Sequence, residues 1–566
     1  MLLGLVLTAG ACLRPILGLG ESYGDNDDAM RLQAVRDLLN GQPWSDLIQH
    51  RMAPPEGLES HWSRLVDAPL ALLLAITQPL LGQAHAETFV RAIWPPLLFG
   101  FALWAILRTA QHYGGERAAW AAAVMAPLSG FIWMQFLPGR IDHHNVQLLL
   151  AAGMVFAATN VTAPRNAAAI GVMAALSAAV GLESIGVIAW SALVYFALLI
   201  VRPEQARAAR AYGLAFAGAG ALAYLIQTPP AWLARVGCDN LQLNGLVGIV
   251  LAGGGLALAS RAAPRTLIAR AALVGGVGAL AGAIALAMHP SCLHGPYADI
   301  DPRIAKIWLP EVEEANSWFS LLADRPVMAI SAITLPFGAL GYCGWQIWRG
   351  ERRDWFLAAS ALLVIATLVG LTQARGLSCA TLVAIPFVAL GLSRIAFVES
   401  LKPRLAGVLA GAIVSPAILY NGLLLITPGH AAAIEKTATV ADDCTKVAYF
   451  APLRDQPAGI VFADLNSDAH ILVSTHHAVA GGPYHRLGEP IFEAMTAFYG
   501  TTDEAAAVMK RAGADYVALC RSGNILRALD KDSFGYALLQ GPAPAWTVPL
   551  TAPGAPIAIF RIVKAK

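Results

Sequence analysis

GRIDHHNVQ, Gly139 to Gln147, sets Arg140, Asp142, His143, His144 and Asn145 between two long apolar runs. Side chains this polar are costly in hydrocarbon, so the stretch marks the end of one membrane crossing and the start of another. Working outward from it, apolar runs fall near 2 to 20, 66 to 82, 88 to 108, 116 to 136, 146 to 161, 167 to 182, 185 to 201, 211 to 228, 245 to 259, 268 to 288, 327 to 348, 355 to 373, 377 to 397 and 405 to 427. Most last about 17 to 23 residues, enough to cross a hydrocarbon core of ~30 Å as a helix. The 566 residues are 57% hydrophobic and 13% charged, which excludes an ordinary soluble domain. A transmembrane barrel would show short alternating strands, and none precede residue 440. The net charge of +2 says little about partners; the placement of the charges says more.

Basic connections occupy Arg202 to Arg210, Ser260 to Arg270, Trp348 to Asp354 and the segment holding Arg394, Lys402 and Arg404. The positive-inside rule puts them in the cytoplasm, and alternation adds Arg108 to Arg117. Residues 137–145, 229–244, 289–326, 374–376 and everything after 428 then lie outside. For residues 21–87 to lie outside too, 66 to 82 must not cross; it is expected in or against the outer leaflet, or packed on other extracytoplasmic helices. No Lys or Arg precedes the first run, which reads as a retained span rather than a cleaved leader. The expectation is a polytopic α-helical protein of a bacterial-type inner membrane with about thirteen transmembrane helices. Its transmembrane domain would cover 1–428, with extracytoplasmic loops 21–87, 137–145, 229–244 and 289–326.

Residues 429–566 change character and predict a small extracytoplasmic α/β domain. GIVFAD (459–464), HILVST (470–475) and DYVALC (515–520) read as strands, while EPIFEAMTAFYG and TDEAAAVMKRAG have helical periodicity. Seven cysteines include no CxxC pair, so zinc-ribbon and thioredoxin-type readings have no support. Cys444 and Cys520 either pair in an oxidising compartment or stay as buried thiols.

On this topology the polar clusters share one membrane face. ESYGDNDDAMRLQAVRDLL (21–39) carries Asp25, Asp27 and Asp28 at the head of an amphipathic helix. GPYADIDPRIAKIWLPEVEEANSW (295–318) forms the largest outer loop, and TQARG places Arg375 at an outer turn. Carboxylates with imidazole suit a divalent cation, Mg2+ or Mn2+, and the nitrogen ligand leans toward Mn2+. Such an ion offsets the charge of a leaving phosphate, and an arginine clamps its oxygens. No Walker or GxGxxG element offers a nucleotide-cofactor site, and nothing points to nucleic acid. A phosphate-activated substrate outside the membrane therefore arrives on a lipid.

This pattern resembles the GT-C membrane glycosyltransferases, and specifically the catalytic subunits of oligosaccharyltransferases. These have thirteen spans, an acidic residue in the first outer loop, a DxD-like pair in the second, and a soluble C-terminal domain. Archaeal members write the pair as Asp-His-His, and this chain reads Asp142, His143, His144. The resemblance implies that Asp142 and His144 ligate the metal while His143 points elsewhere. The family's Asp-Ala step matches Asp28 and Ala29, with Asp27 the second choice; one of the two would bind the metal and help activate the acceptor. The Thr-Ile-x-Glu motif is matched by EVEE, implying Glu314 ahead of Glu311 and Glu313. Arg375 matches the late arginine that contacts the donor phosphates. The arginine that normally precedes the DxD pair is absent; Gln135 lies about there, and Arg140 is the substitute. The WWDYG acceptor motif is also absent, the chain running TATVADDCTKVAYFAPL after the last run. The implied acceptor is then a lipid, a glycan or another protein site.

Plainer alternatives stand beside these assignments. Asp142 and His144 suit a polar turn capping two spans, Asp27 and Asp28 suit the positive end of a helix, Glu314 a solvated acidic face, and Arg375 a snorkelling side chain. Weaker candidates for substrate contact are His61 and Arg64 in HWSRL, Glu183 in GLES, and His476, His477 and His485 in STHHAVAGGPYHR. The implied activity is transfer of a sugar or oligosaccharide from a polyprenyl-phosphate or pyrophosphate carrier to an extracytoplasmic acceptor. It would be metal-dependent, with inversion implied by the resemblance alone. The alternative, a membrane transporter or lipid-linked glycan flippase, calls for mid-membrane charges and symmetric halves.

Overall fold

The computed structural model describes residues 10, 12–13, 15–262, 264–351, 353–395, 400–426 and 444–563. Most of the first apolar run and the start of the segment that follows the last one lie outside the described residues. Helix α1 (Asn26–Leu39) follows the first apolar run. It starts where it does because Asp25 caps it: the Asp25 carboxylate accepts from the backbone N–H groups of Asp27 and Asp28, and Asp28 accepts in return from Asp25 N–H, a reciprocal capping box. Two short strands, β1 (Ile48–Gln49) and β2 (Leu58–Glu59), form a hairpin before α2 (Arg64–Leu81).

The membrane part continues with α3 (Gln83–Met125), α4 (His144–Ala158), α5 (Pro164–Val180), α6 (Ile185–Val201), α7 (Ala206–Gln227), α8 (Leu243–Ala262) and α9 (Leu267–Met288). After the outer loop come α10 (Pro326–Trp348), α11 (Asp354–Thr372), α12 (Gly376–Ser393) and the pair α13 (Pro403–Ile413) and α14 (Pro416–Ile426). Among the described residues nine helices are long and apolar enough to cross a membrane, and the pair, bent by 44°, makes a tenth. The chain is a multi-pass membrane protein.

The gap between this count and thirteen has a physical origin. Helix α3 has 43 residues, ~65 Å at 1.5 Å per residue, and covers one whole run and part of the next. Its backbone leaves helical geometry at Gly114 and Gly115, the latter at φ 69°, a region glycine enters without strain. Helices α4 and α5, with 15 and 17 residues, are apolar but shorter than the 18 residues that each of the nine reaches. Helix α2 is one of the nine by length and composition. It buries Val66, Leu70 and Leu74 and exposes Leu72, Ile76 and Leu80. Close approach elsewhere depends on small residues: a Cβ on Gly213 of α7 or Gly253 of α8 would collide with the other helix's backbone.

The C-terminal part holds a five-stranded sheet in the order β4-β3-β5-β7-β6. Its strands are β3 (Ile460–Ala463), β4 (Ala478–Val479), β5 (Tyr516–Cys520), β6 (Thr547–Pro549) and β7 (Ile557–Ile562). Strands β4, β3 and β5 run parallel, and β7 and β6 add antiparallel. HILVST, expected as a strand, lies mostly in the last turns of α15 (Leu465–Ser474). His470 to Val473 are all buried there, and a run buried on every side shows neither strand nor helix period. Helices α16 (Gly488–Ala497) and α17 (Thr502–Arg511) match the two periodic segments.

This domain is bolted to α1 and the segment between α1 and α2. The Arg51 guanidinium donates to the carbonyls of Leu472, Thr475 and His477. Ala53 N–H donates to Val479 O, and Val479 N–H to Arg51 O, each at 2.8 Å. Arg36 of α1 donates to Val473 O at 2.6 Å. The structure pairs Cys444 with Cys520, one of the two alternatives open for them, and also pairs Cys238 with Cys292, which the sequence reading did not anticipate. The second bridge ties the loop after α7 to the one after α9.

Candidate active site

The site forms where the head of α1, the loop before α4, the turn before α6, the long loop between α9 and α10 and the turn before α12 meet. Asp28 builds the loop. Fully buried, its carboxylate accepts from the N–H groups of Ile141 at 2.8 Å and Asp142 at 3.2 Å and from Arg140 at 3.0 Å. Arg140 also pairs with Asp25. Of the two acidic candidates, Asp28 thus has its acceptor sites filled by the loop it shapes. Asp27 instead lies in the field of Asp142 and Glu314: burial and those two carboxylates, in that order, push its own carboxyl up to about 8.

Asp142 is 1% exposed. Its Oδ1 contacts His143 Nδ1 at 2.5 Å and lies 3.6 Å from Arg31 Nη2, whereas Oδ2 has no hydrogen-bond partner and lies 3.4 Å from His144 Nε2. Burial alone would raise the Asp142 carboxyl, but the His143 and His144 imidazoles outweigh it and hold the group well below the usual carboxylate range. His143, expected to point elsewhere, bridges Asp142 to Glu183, its Nε2 sitting 3.1 Å from Glu183 Oε2. Burial favours the neutral ring there, yet the two carboxylates reverse that and keep it protonated to well above the usual imidazole range.

His144 Nε2 lies 3.7 Å from Glu314 Oε2, and the other Glu314 oxygen lies 3.6 Å from Arg375 Nη1. Arg375 also stands 3.5 Å from Glu183 and pairs with the Tyr297 hydroxyl. Backbone bonds from Arg375 N–H to Glu314 O and from Ala374 N–H to Asn316 O fix the outer loop against the start of α12. A cleft runs from here into the membrane part. Its mouth is polar, with His144, Gln147, Glu183 and Arg375, and its inner wall is apolar, with Leu148, Val187, Ala366 and Val369.

Five sequence candidates therefore converge with Asp27: Asp142, His143, His144, Glu314 and Arg375, with Glu183 joining them through His143. Arg140 lies at the margin on Asp28. The His61 and His485 rings lie 4.7 Å apart, tilted by 56°, beside Asp239, and His485 reaches the site's edge through Tyr297, its ring 5.7 Å away. Arg64 turns from the site to Asp67 and the carbonyls of Trp44 and Asp46. His476 and His477 stay in the C-terminal domain, their ring nitrogens contacting main-chain carbonyls.

Sequence reasoning missed Arg31, Asp67, Tyr297 and Tyr484. Arg31 is fully buried, bonds Asp67 Oδ1 at 2.8 Å and stacks over Trp62 at 4.4 Å. Its spacing was a usable signal, because positions three and four after Asp28 and Asp27 share their helix face. Tyr484, from the C-terminal domain, donates to Asn26 O at 3.0 Å and meets Trp62 edge-on; no local pattern marks it.

The donor set fits a divalent cation. Asp142 Oδ2 is a buried carboxylate oxygen without a donor, His144 Nε2 stands beside it, and Asp27 and Glu314 crowd it with further negative charge. Unrelieved, such crowding is unfavourable; a hard cation with one nitrogen ligand relieves it.

No family model matches the chain, and no curated protein matches it in sequence. Among solved structures it is similar to the oligosaccharyltransferase AglB of Archaeoglobus fulgidus. Against the complex with an inhibitory peptide and a dolichol-phosphate, identity is 14%, coverage 91% of this chain and 69% of that one, and the TM-score 0.60. The apo form gives 11%, 92%, 69% and 0.63, and the complex with Zn and sulfate 13%, 92%, 67% and 0.60. The fold is GT-C-like.

Proposed function

We propose that this protein is a membrane glycosyltransferase that moves a sugar or oligosaccharide from a polyprenyl-phosphate or pyrophosphate carrier to an acceptor on the extracytoplasmic side of an inner membrane. The observation that carries the reading is the run of contacts from Asp142 through His144 and Glu314 to Arg375, of which His144 and Arg375 open with Glu183 onto the polar mouth of an apolar cleft. That is the chemistry of a phosphate head with a lipid tail: charge at the mouth, hydrocarbon within.

Asp142, His144 and Asp27 would hold a divalent cation, Mg2+ or Mn2+, which when bound supplies positive charge opposite the departing phosphate. Arg375, buried and always charged, takes phosphate oxygens. Glu183 and Tyr297 orient its guanidinium, as their contacts with it suggest. The bond between the anomeric carbon and the phosphate oxygen breaks, and one from that carbon to the acceptor heteroatom forms on the opposite face, inverting the centre. The electron pair leaves with the phosphate, and the acceptor proton passes to Asp27 or Glu314. Asp28 acts on this chemistry only through the loop it holds.

The test is transfer by purified protein in lipid discs from labelled polyprenyl-phosphate and pyrophosphate sugars to lipid, glycan and peptide acceptors, with the product anomer read by NMR. A labelled product of inverted configuration supports the reading; no transfer from any such donor, or retention, overturns it. In the same assay Arg375→Ala is expected to lower kcat/KM by ~10²-fold or more, the loss typical of a preorganised charge at a developing anion. Arg375→Lys recovers part of that, because the charge stays and the bidentate fork is lost.

A further inference from the structure

A second cleft opens beside the site, on the far side of Trp62, and no step above uses it. The residues flanking the β1–β2 hairpin, the segment between α7 and α8, and one arginine of the C-terminal domain line it; its telling residues are Trp62, Trp232, Arg235, Asn240, Gln242 and Arg486. Trp62 joins the two places: its ring is 6.4 Å from that of His143.

Two features of the lining concern ligand chemistry. Asn240 Oδ1 and Gln242 Oε1 are buried acceptors with no hydrogen-bond partner, an arrangement that calls for donors from elsewhere. The tryptophans are also held rigidly: Arg31 stacks on Trp62 at 4.4 Å and Arg235 on Trp232 at 4.6 Å. Arg235 is tied to both carboxylate oxygens of Glu59, and Arg486 to both of Asp239. The charges in the lining are thus balanced in place and offer hydrogen bonds rather than a net charge. The Cys238–Cys292 bridge fastens the segment that carries Asn240 and Gln242.

Resting on the glycosyl-transfer reading, we infer that this cleft is a saccharide subsite that holds the glycan portion of the acceptor beside the reacting centre. A hydroxyl-rich ring supplies the donors that Asn240 and Gln242 lack, and its C–H face packs on indole, the amphipathic surface suited to a group that is apolar on one side and wet on the other. Neutral polar groups around aromatic walls are how a pocket orients an uncharged ligand.

The test is binding first and kinetics second, on the full chain in lipid discs. Methyl glycosides of glucose, galactose, mannose and N-acetylglucosamine, their di- and trisaccharides, and an Asn-x-Thr peptide are titrated without donor into the wild type, Trp232→Ala and the double variant Asn240→Ala/Gln242→Ala, with thermal melting as the folding control. The double variant keeps the test open if Trp232→Ala does not fold. The inference expects at least one oligosaccharide to bind tenfold or more weakly to the variants. As an acceptor, the same sugar should show a KM raised at least tenfold, with kcat within threefold. Equal saccharide binding by the wild type and the variants, or a loss confined to the peptide, overturns it. A KM raised only for donors carrying two or more sugars assigns the cleft to the donor glycan and overturns the acceptor assignment. Saccharide binding lost in the variants, with no transfer from any donor by the wild type, leaves the cleft standing and removes the transfer reading instead.

Discussion

Replacing Asp142 with alanine is expected to lower turnover by ~10³-fold or more while the protein still folds, because it deletes the carboxylate about which the charges of the site are arranged and with it the cation's anchor. The prediction separates kinetic effects. The KM of the lipid-linked donor should change little, since Arg375 and the apolar cleft wall remain, so the loss falls on kcat. Mn2+ affinity, read by electron paramagnetic resonance on purified protein, should fall in parallel. Asp28→Asn is the informative companion. It keeps acceptor capacity for Ile141 N–H and loses the charge that meets Arg140, so its damage should reach turnover through a displaced loop and appear in the melting temperature as well. Unchanged turnover in Asp142→Ala would remove this residue from the mechanism.

Arg31→Leu is expected to have a large effect of a different kind, because it acts on folding and chemistry together. A buried chain of charges runs from Arg64 to Asp67 at 3.1 Å, from Asp67 to Arg31 at 2.8 Å and from Arg31 to Asp142 at 3.6 Å. Removing the middle cation strands charge away from water, and breaking a buried pair in this way typically costs ~3–5 kcal/mol. Trp62 also loses the guanidinium it stacks on. Transfer should fall ~10–100-fold, the usual range for a group that orients a ligand without touching the ion. Thermal melting reads the first effect and kcat the second. Arg31→Lys should recover more of the stability than of the turnover, because an ammonium keeps the charge and loses the planar stack. Full activity and an unchanged melting temperature in Arg31→Leu would show that Asp142 is held without it.

What the sequence disclosed follows from how local each feature is. Asp142, His144 and Arg375 stood out in the sequence because each sits in a short polar break between apolar runs, and Glu314 because it belongs to an acidic stretch of the longest polar loop; the structure brings the four into contact. The choice between Asp27 and Asp28 was not readable. Neighbours at the head of one helix look alike until the loop at 139 to 143 folds back and fills the Asp28 acceptor sites. Arg31 had a signal in its helical spacing. Tyr484 and the Cys238–Cys292 bridge had none, since each is brought in by contacts spanning distant parts of the chain. HILVST misled because burial on all sides erases the period that separates helix from strand. The number of runs and the number of long helices differ at a long helix broken at two glycines and at short helices such as α4, where run length stops being a measure of helix length.

One assay tests the central claim most directly. Wild-type protein in lipid discs is given a labelled polyprenyl-phosphate or pyrophosphate sugar with its acceptor, first stripped with chelator and then resupplied with Mg2+ or Mn2+, alongside Asp142→Ala under the same conditions. The account predicts transfer that disappears on chelation, returns with the ion, and returns in the wild type alone. Transfer that persists through chelation and is equal in Asp142→Ala would contradict it.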